Sequence, residues 1–391
     1  MRINKLCPGI LLLTGILLLA VSGCEYDAPG SIWDSKPEGN PPATISSIDP
    51  AIATAGANEI TLVGSNFSAN AVDNTVYFNN VQAEIITASS TELTVLRPAI
   101  SGDAIDVILA ITDVVELAKF DGYQIDEVHG GYGLFESSEI ITSFTVDDDE
   151  NILLAYQNRD LVQLTPDGVK TVIGATGALV SDMKVASDGS LYLQRRNHKS
   201  MYRFADGMEE GEELYEWNNK MFFFDIDDNG NAYAGGNGTY LSIYTADGTS
   251  STGPEFIDFD VMGIRIYNGY VYVLAVADDG SEEVTGIYRC QITSGGGALS
   301  ERELVYDLSS LGTEAELSDM IISADGTVYV ATEGEHPLLV VKSDGTIYPF
   351  YKNMLVPTAV EIEWGSGNYM YQRLGGDNNG LERIDMGGPG A

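Results

Sequence analysis

Apolar and polar residues alternate in short runs along most of the chain. In the C-terminal two-thirds these runs come in pairs joined by a tight polar turn. The turns are Asp149-Glu150-Asn151, Asp188-Gly189, Asn229-Gly230, Asn268-Gly269, Asp325-Gly326 and Gly365-Ser366-Gly367. Successive turns lie 39, 41, 39, 57 and about 40 residues apart. Period-two alternation marks a strand with one face buried, because successive side chains point to opposite faces. A repeat near forty residues, made of strands without helical periodicity, predicts a β-propeller with one blade per repeat. The first blade has four strands, a to d, at 141–146, 152–156, 161–164 and 169–173. The longest gap falls in blade four, which is extended by Ser294-Gly295-Gly296-Gly297. The sixth blade is short of a strand, and Tyr132-Gly133-Leu134-Phe135 are expected to close the ring from the N-terminal side.

The Asp-Gly and Asn-Gly pairs supply the positive φ that type I′ hairpin turns require. Tyr192, Tyr233, Tyr272, Tyr329 and Tyr369 recur just after the turns. Such a stripe predicts packing between blades, not a binding box. Residues 45–126 carry short alternating strands at 44–49, 59–63, 75–78, 92–96 and 105–110, separated by turn residues. That spacing predicts an all-β sandwich.

The N-terminus reads differently. Arg2 and Lys5 precede an apolar run at 10–21. The run is shorter than the roughly 20 residues a bilayer-spanning helix needs, so residues 1–23 read as a secretory leader. Residues 24–44 are polar and rich in Pro and Gly; they bury too little apolar surface to offset their own ordering entropy and read as a tether. The full chain has 20 basic and 58 acidic residues, a net charge of −38, and losing Arg2 and Lys5 makes the balance more negative. That charge excludes nucleic acid as a partner held through its phosphates. Of three cysteines, Cys7 leaves with the leader, Cys24 stands at the leader's end, and Cys290 sits in an alternating strand, where it reads as a small core residue.

Three resemblances add to this. Val21-Ser22-Gly23-Cys24 resembles the bacterial lipobox, which implies cleavage before Cys24, acylation of Cys24 and a membrane partner held through the lipid. Residues 45–126 resemble the IPT/TIG domain. The likeness rests on Ile48-Asp49-Pro50, Gly56, Ile60-Thr61-Leu62, Gly64, Asn66-Phe67, Val76-Tyr77-Phe78-Asn79 and Leu93-Thr94-Val95. It implies an immunoglobulin-like spacer with no catalytic residue. Residues 127–391 resemble NHL-type six-bladed propellers in their strand–turn–strand rhythm. The expected fold class is therefore all-β, an IPT/TIG sandwich followed by a six-bladed β-propeller. This order resembles surface lipoproteins of Gram-negative bacteria associated with glycan uptake or adhesion. It implies an outer-membrane location at the cell surface, the periplasmic leaflet being the other option.

Candidate chemistry concentrates in the b–c loops. These hold five of the 15 basic residues beyond position 140, namely Arg159, Arg195, Arg196, Lys199 and Arg373. The candidate ligand residues are Arg159, Arg195, Arg196, Asn197, His198, His336, Arg373 and Asn378. Arginine forks beside amides suit sugar hydroxyls or carboxylates. No cofactor is expected, with weak Ca²⁺ binding at Asp147-Asp148-Asp149-Glu150 as the one exception. Asp225-x-Asp227-x-Asn229-Gly230 opens like an EF-hand loop, but its twelfth position is Gly236, so a blade hairpin is the better reading. His129, His198 and His336 are far apart and leave little for a zinc site or a nucleophilic triad.

The expected function is a non-catalytic surface lipoprotein. It binds a glycan, or a protein partner such as an outer-membrane complex, through the b–c face. The alternative is a propeller enzyme of lactonase, hydrolase or lyase type with a divalent cation in the central tunnel.

Overall fold

A computed structural model describes residues 41–196, 198–205, 211–312, 315–376 and 379–390. The lipidation candidate Cys24 and the loop candidates Asn197 and Asn378 lie outside the described residues. The first sandwich sheet orders Thr44–Asp49, Glu59–Ser65, Glu92–Leu96 and Ile85–Ala88 side by side. The second orders Ile52–Ala53, Ala118–Ile125, Gly102–Ile111, Asn74–Phe78 and Val81–Ala83. Ile60, Leu62, Val76, Phe78, Val95, Val107 and Leu109 fill the space between them. Each comes from the inward half of an alternating strand, as sheet packing demands.

The rest is a ring of six four-stranded antiparallel blades. The inner strands are Ile141–Val146, Val180–Val185, Phe223–Ile226, Phe259–Tyr267, Leu317–Ile322 and Ala359–Trp364. Five blades take their strands in chain order, whereas the sixth takes its outermost strand, His129–Tyr132, from before blade one. His129 pairs with Ile384 and Tyr132 with Leu381, so the ring closes from the N-terminal side. The closing strand starts earlier than the sequence suggests. Gly133, at φ +74°, turns the chain away, and Leu134 beyond it is 90% exposed. A closed ring leaves no long sheet edge to pair with other chains.

The hairpin turns depart from the type I′ expectation. Only Asn268-Gly269 has both central residues at positive φ, +53° and +80°. At Glu150, Gly189, Gly230 and Gly326 a single positive-φ residue closes a longer loop, for example with Gly189 N–H donating to the Ala186 carbonyl and Ala186 N–H to Ser190. This is the type I turn with a glycine bulge, which also matches strand twist. The turn aspartate accepts locally: Asp188 takes the Ser190 N–H at 2.9 Å, and Asp325 the Thr327 N–H at 3.0 Å. The EF-hand-like segment does the same. Asp227 Oδ1 accepts from Asn229 and Asn231, both at 2.9 Å, while Asp225 turns inward. Tyr192, Tyr272 and Tyr329 each join a core cluster with the next blade's inner strand, so the stripe is inter-blade packing.

The sandwich is fastened to blades five and six. Tyr351 is 1% exposed at their junction. Its hydroxyl accepts from Gly56 N–H at 2.6 Å and donates to the Asp385 carbonyl at 2.9 Å, while its own N–H donates to Asn58 Oδ1 at 2.9 Å. The Arg97 guanidinium lies 5.4 Å from the Tyr351 ring centre, and Lys342 pairs with Glu59 at 2.9 Å.

Candidate functional site

The inner strands carry charge to the axis of the ring. Phe144, Met183, Phe224, Ile264, Met320 and Ile362 occupy matching positions and are fully buried. The residues on either side of each face the opposite way, since side chains alternate along a strand. Those positions hold Asp182 and Lys184 in blade two, Asp225 in blade three, Arg265 in blade four, Asp319 in blade five, and Glu361 and Glu363 in blade six. In five inner strands the register slips just before this tier, for example between Val180 and Asp182 and between Ala359 and Glu361. Such a bulge bends a strand and re-aims its side chains.

The acids stitch neighbouring blades together. Asp182 Oδ2 accepts the Phe224 N–H at 2.8 Å, Asp225 Oδ2 the Ile266 N–H at 2.7 Å, and Asp319 Oδ2 the Ile362 N–H at 3.0 Å. Glu361 Oε1 accepts from the Ser143 hydroxyl at 2.6 Å and the Phe144 N–H at 3.3 Å, linking blades six and one. Two cations cross the ring. Lys184 pairs with Asp182 at 2.9 Å and with Glu363 of blade six. Arg265 reaches Asp319 and the same Glu363, both at 3.2 Å, and donates to the Ile362 carbonyl at 3.0 Å. Arg373 holds Glu361 from the second strand of blade six at 2.9 Å.

Five carboxylates thus share three cations in a buried space, and the electrostatics follow from that surplus. Burial pushes Asp182 and Asp225 above the usual carboxylate range, the nearby Lys184 and Arg265 only partly opposing it. Asp319 is pushed up to about 6 and Glu361 up to about 7, again by burial first. For Lys184 and Arg265 burial works against the charge, but the surrounding carboxylates outweigh it, and both are held protonated above their ordinary values. Among the described residues no group of three or more His, Cys, Asp and Glu is arranged to hold a metal ion. Cationic side chains occupy the positions among these acids.

The b–c loop candidates divide. Arg195 is committed internally: its Nε donates to the Thr176 carbonyl at 2.8 Å, and its guanidinium stacks 3.4 Å from the Tyr202 ring centre. Arg373 turns inward to Glu361, leaving the loop surface. Arg159, at φ +77°, is exposed, as are Arg196 and His198. His336 is half-buried and its carbonyl accepts from the Thr332 hydroxyl at 2.8 Å. Of the six candidates among the described residues, Arg195 and Arg373 are thus taken by protein partners, whereas Arg159, Arg196 and His198 are exposed. The axial cluster was missed because its members look like ordinary polar positions of alternating strands. The available signal was charge beside the core residue of successive inner strands.

Residues 43–121 match the IPT/TIG domain family. No curated protein sequence matches the chain. Among solved structures, the chain is similar to an auxiliary nutrient binding protein from Bacteroides thetaiotaomicron, at 11% identity and a TM-score of 0.52, covering 88% of this chain and 98% of that one. It is also similar to a gluconolactonase from Xanthomonas campestris, at 12% identity and a TM-score of 0.51, covering 75% of this chain and 92% of that one. A luciferin-regenerating enzyme matches at 14% identity and a TM-score of 0.54, covering 68% of this chain and 97% of that one. At these identities the likeness is one of fold alone.

Proposed function

We propose that this chain is a non-catalytic, lipid-anchored surface protein whose propeller captures a nutrient ligand, most simply a glycan, for a membrane-bound system. The observation that carries the reading is the occupied axis. In a lactonase-type propeller the acids around the tunnel would gather a divalent cation. Here Lys184 and Arg265 already neutralise Asp182, Asp319 and Glu363 in direct ion pairs. Admitting a divalent ion would mean expelling two buried cations from carboxylates that, among the described residues, have no other partner of opposite charge apart from Arg373 at Glu361.

Three further points support it. The leader ending in Val21-Ser22-Gly23-Cys24 suits a lipid anchor on the outer membrane. The overall fold is similar to that of an auxiliary nutrient binding protein over almost the whole length of both chains. The b–c face keeps exposed donors at Arg159, Arg196 and His198.

The test is a glycan and Ca²⁺ binding screen run beside a lactone-hydrolysis assay, with and without EDTA. The expected result is glycan binding that EDTA does not change, weakened in the Arg159→Ala/Arg196→Ala variant, and no turnover. Metal-dependent hydrolysis of a lactone would overturn the reading. Incorporation of labelled fatty acid, abolished by Cys24→Ala, tests the anchor separately.

A further inference from the structure

We propose a second ligand site, for a neutral sugar, on the outer wall of blade six. It rests on the glycan reading above but not on the b–c loops. A cavity of about 330 Å³ opens there beside the closing strand. Arg383, in the strand Gly380–Asp385, is part of its lining. The guanidinium lies 4.4 Å from the Tyr369 ring centre and 5.2 Å from that of Tyr132, so two aromatic rings hold it in place. Among the described residues no acid comes within ion-pairing distance of Arg383 and no protein acceptor takes its N–H groups. In a chain with 58 acids and 20 bases, a clamped arginine with its donors unspent is unusual. A preorganised guanidinium loses little freedom when it binds.

The remaining walls define the ligand. Glu127 and Asp385 offer carboxylate acceptors, and His129, whose Nδ1 is taken by Glu382 at 2.6 Å, adds an imidazole. Gly130 and Gly131 also line it; a Cβ on either would meet no atom within 4 Å, so the backbone is bare and approachable. Glu382 compensates His129, so Arg383 against Glu127 and Asp385 leaves one negative charge in excess, which disfavours an anion and is too small to gather a cation strongly. A polyhydroxylated ring, which can donate and accept at every hydroxyl, matches this alternation of donors and acceptors. The volume sits at the small end of ligand pockets, enough for about one or two sugar rings.

The test is calorimetric titration of the full chain with maltohexaose, cellohexaose, xylohexaose and mannohexaose. At least one is expected to bind. Arg383→Gln and Tyr369→Ala should each raise its Kd by about tenfold or more, equivalent to at least about 1.4 kcal/mol. The fold-change caused by Arg383→Gln should be the same in the Arg159→Ala/Arg196→Ala background as in the parent. Should Tyr369→Ala fail to fold, Arg383→Gln and Arg383→Lys, which keep the strand, give the answer alone. Binding lost in the loop variant but kept in Arg383→Gln overturns this site and leaves the proposed function standing. No binding with any of the four probes also overturns this site, and the broader glycan screen then decides the proposed function by itself.

Discussion

Lys184 of blade two and Glu363 of blade six form an ion pair across the axis of the ring, although 179 residues separate them in sequence. Both side chains are more than nine-tenths buried. Removing one partner of such a pair leaves a charge stranded in a poorly polarisable interior. Lys184→Met should therefore destabilise the fold by about 3–5 kcal/mol, read as a lower urea midpoint at constant m-value. The double variant Lys184→Met/Glu363→Gln should cost clearly less than the sum of its parts, because Glu363 is one of the two carboxylates that Lys184 neutralises and its removal reduces the surplus negative charge left beside Asp182. Strict additivity would show that the two residues do not depend on each other.

Tyr351 carries the joint between sandwich and propeller. Tyr351→Phe keeps the buried ring and its contact with Arg97 but deprives the Gly56 N–H of its acceptor and the Asp385 carbonyl of a donor. A buried group left unsatisfied costs about 1–3 kcal/mol. The expected outcome is a loss of that size, with faster proteolysis at the junction than within the blades. Equal stability of variant and parent would mean the sandwich is not held through this hydroxyl.

How much of this was legible beforehand follows from where each signal resides. The blades were readable because each hairpin is local: strand, turn and strand lie within about twenty residues, and Asp188-Gly189 or Asn229-Gly230 marks the reversal. Ring closure was readable because the sixth blade lacked a strand and Tyr132 lay upstream. The axial cluster was not. Asp182, Arg265, Asp319 and Glu361 meet only after the ring forms, and alternation reports that a side chain faces away from the core residue without saying whether water or five other blades lie there. The partners of Arg195 and Arg373 are equally invisible in sequence, because Tyr202 and Glu361, which hold them, meet them only through strand pairing.

Cys290 offers a direct check on burial. It is fully buried in the strand Gly286–Gln291, and burial first, then Glu301, pushes its thiol up to about 12. The thiolate is the reactive form, so almost none is present near neutrality. In a Cys7→Ala/Cys24→Ala background, Cys290 should stay silent to Ellman's reagent in the native protein and react stoichiometrically in guanidinium chloride. Rapid native labelling would place the strand's inner face within reach of solvent.

Glu361 provides a pH signature for the axis. Its folded pKa is raised, so its protonated form is the one the fold prefers, and the stability it contributes is present below its ordinary value and lost as pH rises to about 7. Glu361→Gln does not titrate. Relative to that variant, the parent should lose up to about 3 kcal/mol between pH 4.5 and 7, since each tenfold change in proton affinity between the folded and unfolded chains is worth about 1.36 kcal/mol. A stability difference independent of pH in that window would mean that Glu361 ionises as it would in water.

The ring closure carries a second pH signature, displaced to higher pH. His129 on the closing strand pairs with the buried Glu382 at 2.6 Å. The hydrogen bond to Glu382 raises the His129 pKa, burial and the Arg97 charge opposing it and Glu127 assisting. A histidine whose folded pKa is raised contributes stability that is complete below about 6.5 and disappears as pH climbs through the higher folded value. Glu382 also accepts from Gln372 and from the Val356 N–H, at 3.0 Å for the latter, so the carboxylate keeps partners when the imidazole becomes neutral. The closing strand, then, should loosen above neutrality while the blade itself stays folded. Hydrogen exchange at Gly130 and Gly131 should accelerate as pH rises above about 6.5, after correction for intrinsic rates, more than exchange in the strand Tyr369–Leu374. In His129→Gln, whose amide can still bond Glu382 but cannot titrate, that difference should vanish. If parent and variant show the same pH profile, the closure is held by its backbone ladder and the core beneath it, and His129 contributes no charge to it.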